Sequence, residues 1–198
     1  MSDKPVAAGK SSFGLVDSPK LIAALDIAPG TIFLDLACGA GAYSLALADR
    51  FGPSGTLHAV DLWKGGIEAL KLEVHDRRID TIFAEIADVS EHIPLDDGIV
   101  DLCLMATVLH DLIEDHTDAG TLRELKRVMK PGGRLAVVEF KKMDGPPGPP
   151  MDIRLSPPET ENHLRPYAFE LIKTYDIGPY NYLSIFTNRF DSKGFDAH

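Results

Sequence analysis

The chain has 198 residues, 44% of them hydrophobic and 25% charged, with two cysteines and a formal net charge of −10. That length fits one α/β domain, which buries enough apolar surface to need no disulfide or metal staple. Two isolated cysteines exclude a disulfide framework and a structural zinc site, and the acidity opposes attraction to phosphate backbones, so a nucleic-acid partner is disfavoured.

Residues 1–12 are polar, without the hydrophobic run of a signal peptide, and read as a flexible segment ahead of a single domain over 13–198. No apolar run approaches the roughly 20 residues that span a bilayer, so a cytoplasmic protein is expected. Cys38 and Cys103 lie in apolar stretches and read as buried, reduced thiols.

Strand and helix patterns alternate, which predicts a mostly parallel sheet covered on both faces. Thr31–Leu36 reads as a strand and Ala42–Phe51 as a helix closed by Gly52-Pro53. Thr56–Val60 is a second strand ending at Asp61, and Trp63–Asp76 a helix with Ile67, Leu70 and Val74 at helical spacing. Ile79–Ala84 reads as the third strand. Ile99–Ala106 is the most continuous apolar run, as a central strand buried on both faces requires. Leu122, Leu125, Val128 and Met129 mark a helix stopped by Pro131-Gly132-Gly133, and Leu135–Phe140 is the fifth strand.

Six of the fourteen prolines fall in residues 143–158, a stiff loop that is either a lid or a connector. Ser156-Pro157-Pro158-Glu159 carries a helix-start signature, and the helix is expected to reach Lys173. Two strands, Thr174–Ile177 and Tyr182–Thr187, are joined by a turn too short for a parallel crossover, so the sheet gains an antiparallel hairpin.

Phe33 through Ala42 carries the chemistry. A strand leads into a tight turn whose Gly39 and Gly41 let backbone approach a ligand, and a helix N-terminus follows at once. Asp61 ends the next strand, where a carboxylate accepts from ribose hydroxyls. This much defines an adenosine-type ligand in a Rossmann-like crevice. A dinucleotide turn would have a third glycine where Ser44 stands, and Asp35 before the turn would repel a pyrophosphate but attract an ammonium or sulfonium. S-adenosylmethionine has both cations and no phosphate.

The chain resembles the class I S-adenosylmethionine-dependent methyltransferases, particularly the small-molecule group that includes the ubiquinone/menaquinone-biosynthesis enzymes. The resemblance runs from about Phe13 to Arg189 through FLDLACGAGAYS, AVDLW, IADV, LCLMATVLHDL and LRELKRVMKPGGRLAVVEFKK. It implies a Rossmann-like αβα sandwich whose mostly parallel seven-stranded sheet ends in an antiparallel hairpin. By matching position it places Asp35, Ala37, Gly39 and Gly41 at the methionine moiety, with Thr107 touching its end. Asp61 takes the ribose, Leu62 or Trp63 lies beside the adenine, and Ala87 and Asp88 serve the adenine edge. Ala37 departs from the glycine common in that family.

His110 lies where many O-methyltransferases carry a histidine base, although Leu112 replaces the tryptophan of their His-Asp-Trp motif; the alternative is an ordinary loop histidine. Glu139 and Lys141 are weaker candidates for the acceptor pocket, as charges at a strand end are usually solvated. His163 and Tyr167, one helical turn apart, read as pocket wall or core. His75, His92 and His116 have no ligand spacing, so no metal is assigned. Lys126, Arg127 and Lys130 read as a solvated helix face rather than a nucleic-acid patch. The expected activity is methyl transfer to a small-molecule acceptor, O- or C-methylation of a phenol or quinone precursor. The alternatives are a nicotinamide-dependent reductase and a non-catalytic S-adenosylmethionine-binding protein.

Overall fold

The computed structural model describes residues 9–189; residues 1–8 of the segment expected to be flexible, and 190–198 at the other end, lie outside the described residues. The strands are β1 (Ile32–Leu36), β2 (Thr56–Asp61), β3 (Ile82–Ile86), β4 (Val100–Ala106), β5 (Met129–Phe140), β6 (Phe169–Asp176) and β7 (Asn181–Asn188). They form one sheet in the order β3-β2-β1-β4-β5-β7-β6, with β7 antiparallel to both of its neighbours. The chain reverses direction of winding between β1 and β4, the switch point at which open α/β sheets bind ligands.

Side chains alternate across the strands, and each face is sealed by its own helices. Phe33, Leu57, Leu102 and Leu104 pack beneath α1 (Ser18–Leu25), α2 (Ala42–Leu47) and α3 (Lys64–Asp76) through Leu21, Leu47 and Leu70. Leu34, Leu36, Cys103 and Met105 face the opposite way, against Leu122 and Leu125 of α5 (Asp118–Val128) and Leu164 of α6 (Pro157–Leu164). Each of these side chains contributes about 1.5–3 kcal/mol through burial. A short helix, α4 (Leu109–Glu114), follows β4. Among the described residues, no helix is long and apolar enough to cross a membrane.

Several boundaries differ from those read in the sequence. The third strand starts at Ile82 rather than Ile79, because the Ile79 N–H is used to close α3 on Val74 O and pairing with β2 begins at Leu57. Met129 is extended and pairs with Val100, so it opens β5 rather than closing a helix. The helix expected to reach Lys173 stops at Leu164: a single 3-10 turn containing Pro166 follows, then Ala168 in the left-handed region. Proline lacks the N–H a helix needs, and a left-handed residue breaks it. Phe169–Lys173 therefore belong to β6. Helices α1 and α4 were not foreseen.

Candidate active site

At the switch point the chain leaves β1 through three residues with positive φ, Ala37 (56°), Gly39 (60°) and Gly41 (75°). Gly41 is required by packing as well as by conformation, since a Cβ there would lie 2.4 Å from Leu70 of α3. Gly66 permits the matching approach from α3, where a Cβ would lie 2.6 Å from Gly39 O. A Cβ at Gly39 would meet nothing within 4 Å, so the space above the turn is open.

Asp61 ties this turn together. Its Oδ2 accepts from the Gly39 N–H at 2.7 Å and its Oδ1 from the Trp63 N–H at 2.6 Å, while its carbonyl accepts from Ala87 N at 3.1 Å. A carboxylate has about four acceptor sites, which leaves two for hydroxyls of a ligand. Beside it, Leu62 is 58% exposed. Asp88 is exposed at the rim, where its Oδ1 accepts from Ser90 N and Oγ. Thr107 sits in the left-handed region (φ 54°) just past β4, held by its N–H on Val138 O.

Asp35 is placed differently from a rim carboxylate. It is 1% exposed, and the Ser44 hydroxyl donates to its Oδ2 at 2.5 Å. Burial pushes its pKa up to about 7, with the charge of Asp61 adding to the rise and the Ser44 hydrogen bond opposing it. Ser44 occupies the position where a dinucleotide turn has its third glycine, so one residue replaces that glycine and satisfies the carboxyl group.

His110 lies in α4 and is 4% exposed, not in an ordinary loop. Its Nδ1 is 2.7 Å from Oε2 of Glu139, its N–H donates to Oε1 at 3.3 Å, and its Nε2 is 3.5 Å from Asp111 Oδ1. Glu139, expected to be solvated, is fully buried at the end of β5. With the carboxylate accepting, the ring proton sits on Nδ1 and Nε2 is left as the basic atom. Burial works against protonation of the ring, but the hydrogen bond and charge of Glu139, with Asp111, outweigh it and raise the pKa. The sequence contained both residues; it gave no sign that 29 positions of separation would close to a hydrogen bond.

Ser12 lies inside the segment expected to be flexible, yet it is 5% exposed. Its hydroxyl is 2.8 Å from Tyr43 Oη and 3.0 Å from Thr107 Oγ1. The segment leading into the domain therefore crosses the switch point and reaches the residue after β6, where Asp17 N donates to Ile177 O. Tyr43 was overlooked because an aromatic in the first turn of a helix reads as core.

Other candidates lie elsewhere. Lys141 bonds Asp176 and Gly178 O on the wall of an open cavity of about 630 Å³, which shares no residue with the glycine turn. His163 pairs with Asp118 at 2.8 Å across α6 and α5, and Tyr167 packs against the core on that face. Arg127 bonds Glu124 and Asp97, Lys130 bonds Asp101, and Lys126 bonds Asn188 and Arg189 O, so these cations serve internal contacts. Among the described residues no group of three His, Cys, Asp or Glu is placed to hold a metal ion.

The crossover at the glycine turn and the β5-β7-β6 ending define a class I, Rossmann-like methyltransferase fold. The methyltransferase-domain family matches residues 34–137, and the chain belongs to it. It is 35% identical over 122 residues to the ubiquinone/menaquinone biosynthesis C-methyltransferase UbiE of Cupriavidus pinatubonensis, covering 62% of this chain and 48% of that one. To the UbiE of Paraburkholderia phymatum it is 38% identical over 128 residues, 63% and 49% of the two chains. The chain thus spans about half the length of the curated relatives it matches. A SAM-dependent methyltransferase from Aquifex aeolicus superposes with a TM-score of 0.80 at 27% identity, over 89% of this chain and 92% of that one.

S-adenosylmethionine is the cofactor of this class, and the residues present fit it. Open space lies above Gly39, two acceptor sites of Asp61 are left for hydroxyls of a ligand, and the carboxylates of Asp61 and Asp88 suit a cation, as does the buried carboxyl of Asp35 once it ionises. A pyrophosphate would face carboxylates at the same turn.

Proposed function

We propose that the chain methylates a small-molecule acceptor, O- or C-methylating a phenol or quinone precursor, with His110 as the proton acceptor. The buried His110–Glu139 pair, closed at 2.7 Å at the carboxyl edge of the sheet, carries this reading. The turn residues Ala37, Gly39 and Gly41 with Asp35 and Thr107 would hold the methionine moiety, Asp61 the ribose, and Leu62, Trp63, Ala87 and Asp88 the adenine. When bound, S-adenosylmethionine supplies a methyl group on a sulfonium whose departure needs no protonation. The protein's task is then alignment, worth about 7–11 kcal/mol at best, and removal of the acceptor's proton, worth about 10²–10⁴-fold. Glu139 fixes the ring with Nδ1 protonated, so the proton from a phenol goes to Nε2. Because His110 is 4% exposed, a neighbouring element moves before an acceptor reaches it. The C-methyltransferase named among the relatives supports the carbon-acceptor arm of the proposal. Two free cysteines, with burial pushing both thiols up, suit a reducing cytoplasm.

The test is a screen of phenols and quinone precursors with isotopically labelled methyl donor, on wild type and His110→Ala. Labelled product from wild type, reduced at least a hundredfold in the variant while S-adenosylhomocysteine binding persists, is expected. Equal turnover at saturating acceptor would remove His110 from the reaction. Melting shifts separate the reductase alternative: S-adenosylhomocysteine is expected to stabilise the protein, and stabilisation by NADP alone would overturn the donor assignment.

A further inference from the structure

The proline-rich segment is organised around one side chain. Arg154 is 2% exposed, and each of its five guanidinium donors reaches a main-chain carbonyl. Nε donates to Pro149 O (2.8 Å), Nη1 to Lys141 O (3.1 Å) and Met143 O (2.8 Å), and Nη2 to Gly145 O (2.7 Å) and Pro147 O (3.0 Å). The acceptors are every second residue from 141 to 149, so the chain curls around the cation with alternate carbonyls turned inward. Three of these residues, Pro146, Pro147 and Pro149, have no N–H to donate, which suits a curl that offers its carbonyls to the cation. Among the described residues no carboxylate pairs with Arg154.

This wrapped cation rests on Phe140, whose ring also meets His110. The guanidinium carbon lies 5.8 Å from the centroid of the Phe140 ring, and the His110 ring meets the same ring edge-on at 6.3 Å. Gly148, at φ 104°, lets the segment touch Phe140: a Cβ there would lie 2.7 Å from Cδ1. One phenylalanine therefore separates a buried imidazole bonded to a carboxylate from a buried guanidinium without one.

We infer that Arg154 is a positioning residue for His110: it fastens residues 141–149 as a fixed wall on Phe140 and sets a positive charge against the His110–Glu139 pair. The inference rests on the proposed role of His110. Burial disfavours the imidazolium most, Glu139 from β5 and Asp111 from α4 itself both favour it, and Arg154 is the charged group that sides with burial. A ring held permanently protonated accepts no proton, so the cation keeps Nε2 available. The same wrapping makes the segment a wall rather than a lid, since opening it would strip five bonds from a buried charge.

The test is nitrogen NMR of the His110 ring through a pH titration in ¹⁵N-histidine protein saturated with S-adenosylhomocysteine. In Arg154→Met the ring is expected to titrate about half a unit or more higher than in wild type, because the opposing cation is gone. Arg154→Lys keeps the charge but has at most three donors, so its titration is expected to stay near wild type while amide exchange across 141–149 accelerates at least tenfold. An unchanged titration in Arg154→Met overturns the inference. Should that variant not fold, unchanged protection of 141–149 in Arg154→Lys overturns it. Neither readout needs an acceptor, so loss of this inference is distinguishable from loss of the base assignment, which His110→Ala tests directly.

Discussion

Asp35→Asn isolates the buried carboxyl beneath the glycine turn. Asp35 titrates near 7 in the folded protein, against 3.8 for the free side chain, and it is 1% exposed. Between those two values the unfolded chain has released the proton and the folded chain retains it. The folded state binds more protons, so stability falls as pH rises through this window and levels off above it. About three units at 1.36 kcal/mol each put the whole effect at about 4 kcal/mol, of which about 3 kcal/mol falls between pH 5 and pH 8. Asparagine keeps an oxygen for the Ser44 hydroxyl and removes the titration. Any fixed cost of its amide group is the same at both pH values and cancels in the comparison. Urea unfolding of both proteins at pH 5 and pH 8 is the assay. The variant is expected to gain on wild type by about 3 kcal/mol across that range, or roughly 6–12 °C in melting temperature. Parallel pH profiles would show that Asp35 is ionised throughout, and would refute the claim that burial controls it. On the proposed placement of Asp35 at the methionine moiety, the ammonium of S-adenosylhomocysteine favours the ionised form, so wild-type affinity is expected to rise from pH 6 to pH 8 and that of the variant to stay flat.

The donor turn gives two further tests. Gly41→Ala forces a Cβ to 2.4 Å from Leu70 at φ 75°, and is expected to cost about 2–4 kcal/mol in denaturant unfolding and to abolish S-adenosylhomocysteine binding by calorimetry. Asp61→Ala removes the acceptor of the Gly39 and Trp63 N–H groups, and is expected to weaken S-adenosylhomocysteine at least tenfold; affinity within a factor of two of wild type would place the ribose elsewhere. On the acceptor side, His110 must be neutral to take a proton, and its pKa is raised, so kcat is expected to climb with pH along a limb centred above 6.5. Glu139→Gln withdraws the charge that raises it; the limb should move to lower pH and the plateau should fall, and an unmoved limb would assign it to another group.

The glycine turn of the candidate donor site was legible because it is built from neighbours in sequence. A short strand, a turn with glycines at 39 and 41, a helix start and an acid at the next strand end are local patterns. The strand at 100–106 was equally plain, since burial on both faces leaves an unbroken apolar run. Where pattern misled, two physical demands competed for one stretch. Phe169–Lys173 extends the apolar spacing of α6, and only Pro166 and the left-handed Ala168 end the helix before it. Met129 likewise fits the stripe of α5, but its partner Val100 draws it into the sheet.

The candidate acceptor half was hidden because its parts come from different elements. Glu139 read as a solvated strand end until the fold set it against His110, and no local rule separates a buried carboxylate from an exposed one when its partner is 29 residues away. Arg154 is the stronger case. A stiff proline-rich stretch reads equally as a lid or a connector, and only five carbonyls converging on one guanidinium show how it is held. The segment through Ser12 shows the reverse contrast: over the switch point it is held by two hydroxyl contacts, to Tyr43 and Thr107, and by the Phe13 ring packed edge-on to Tyr43 at 5.1 Å, and its 3-10 turn at Phe13–Leu15 buries no residue fully. Fewer buried contacts mean a lower cost of local opening. Of the two segments at the carboxyl edge, the chain through Ser12 is therefore expected to open before the proline-rich wall. Hydrogen exchange in the presence of S-adenosylhomocysteine should rank them in that order, with amides of 11–16 exchanging faster than those of 141–149.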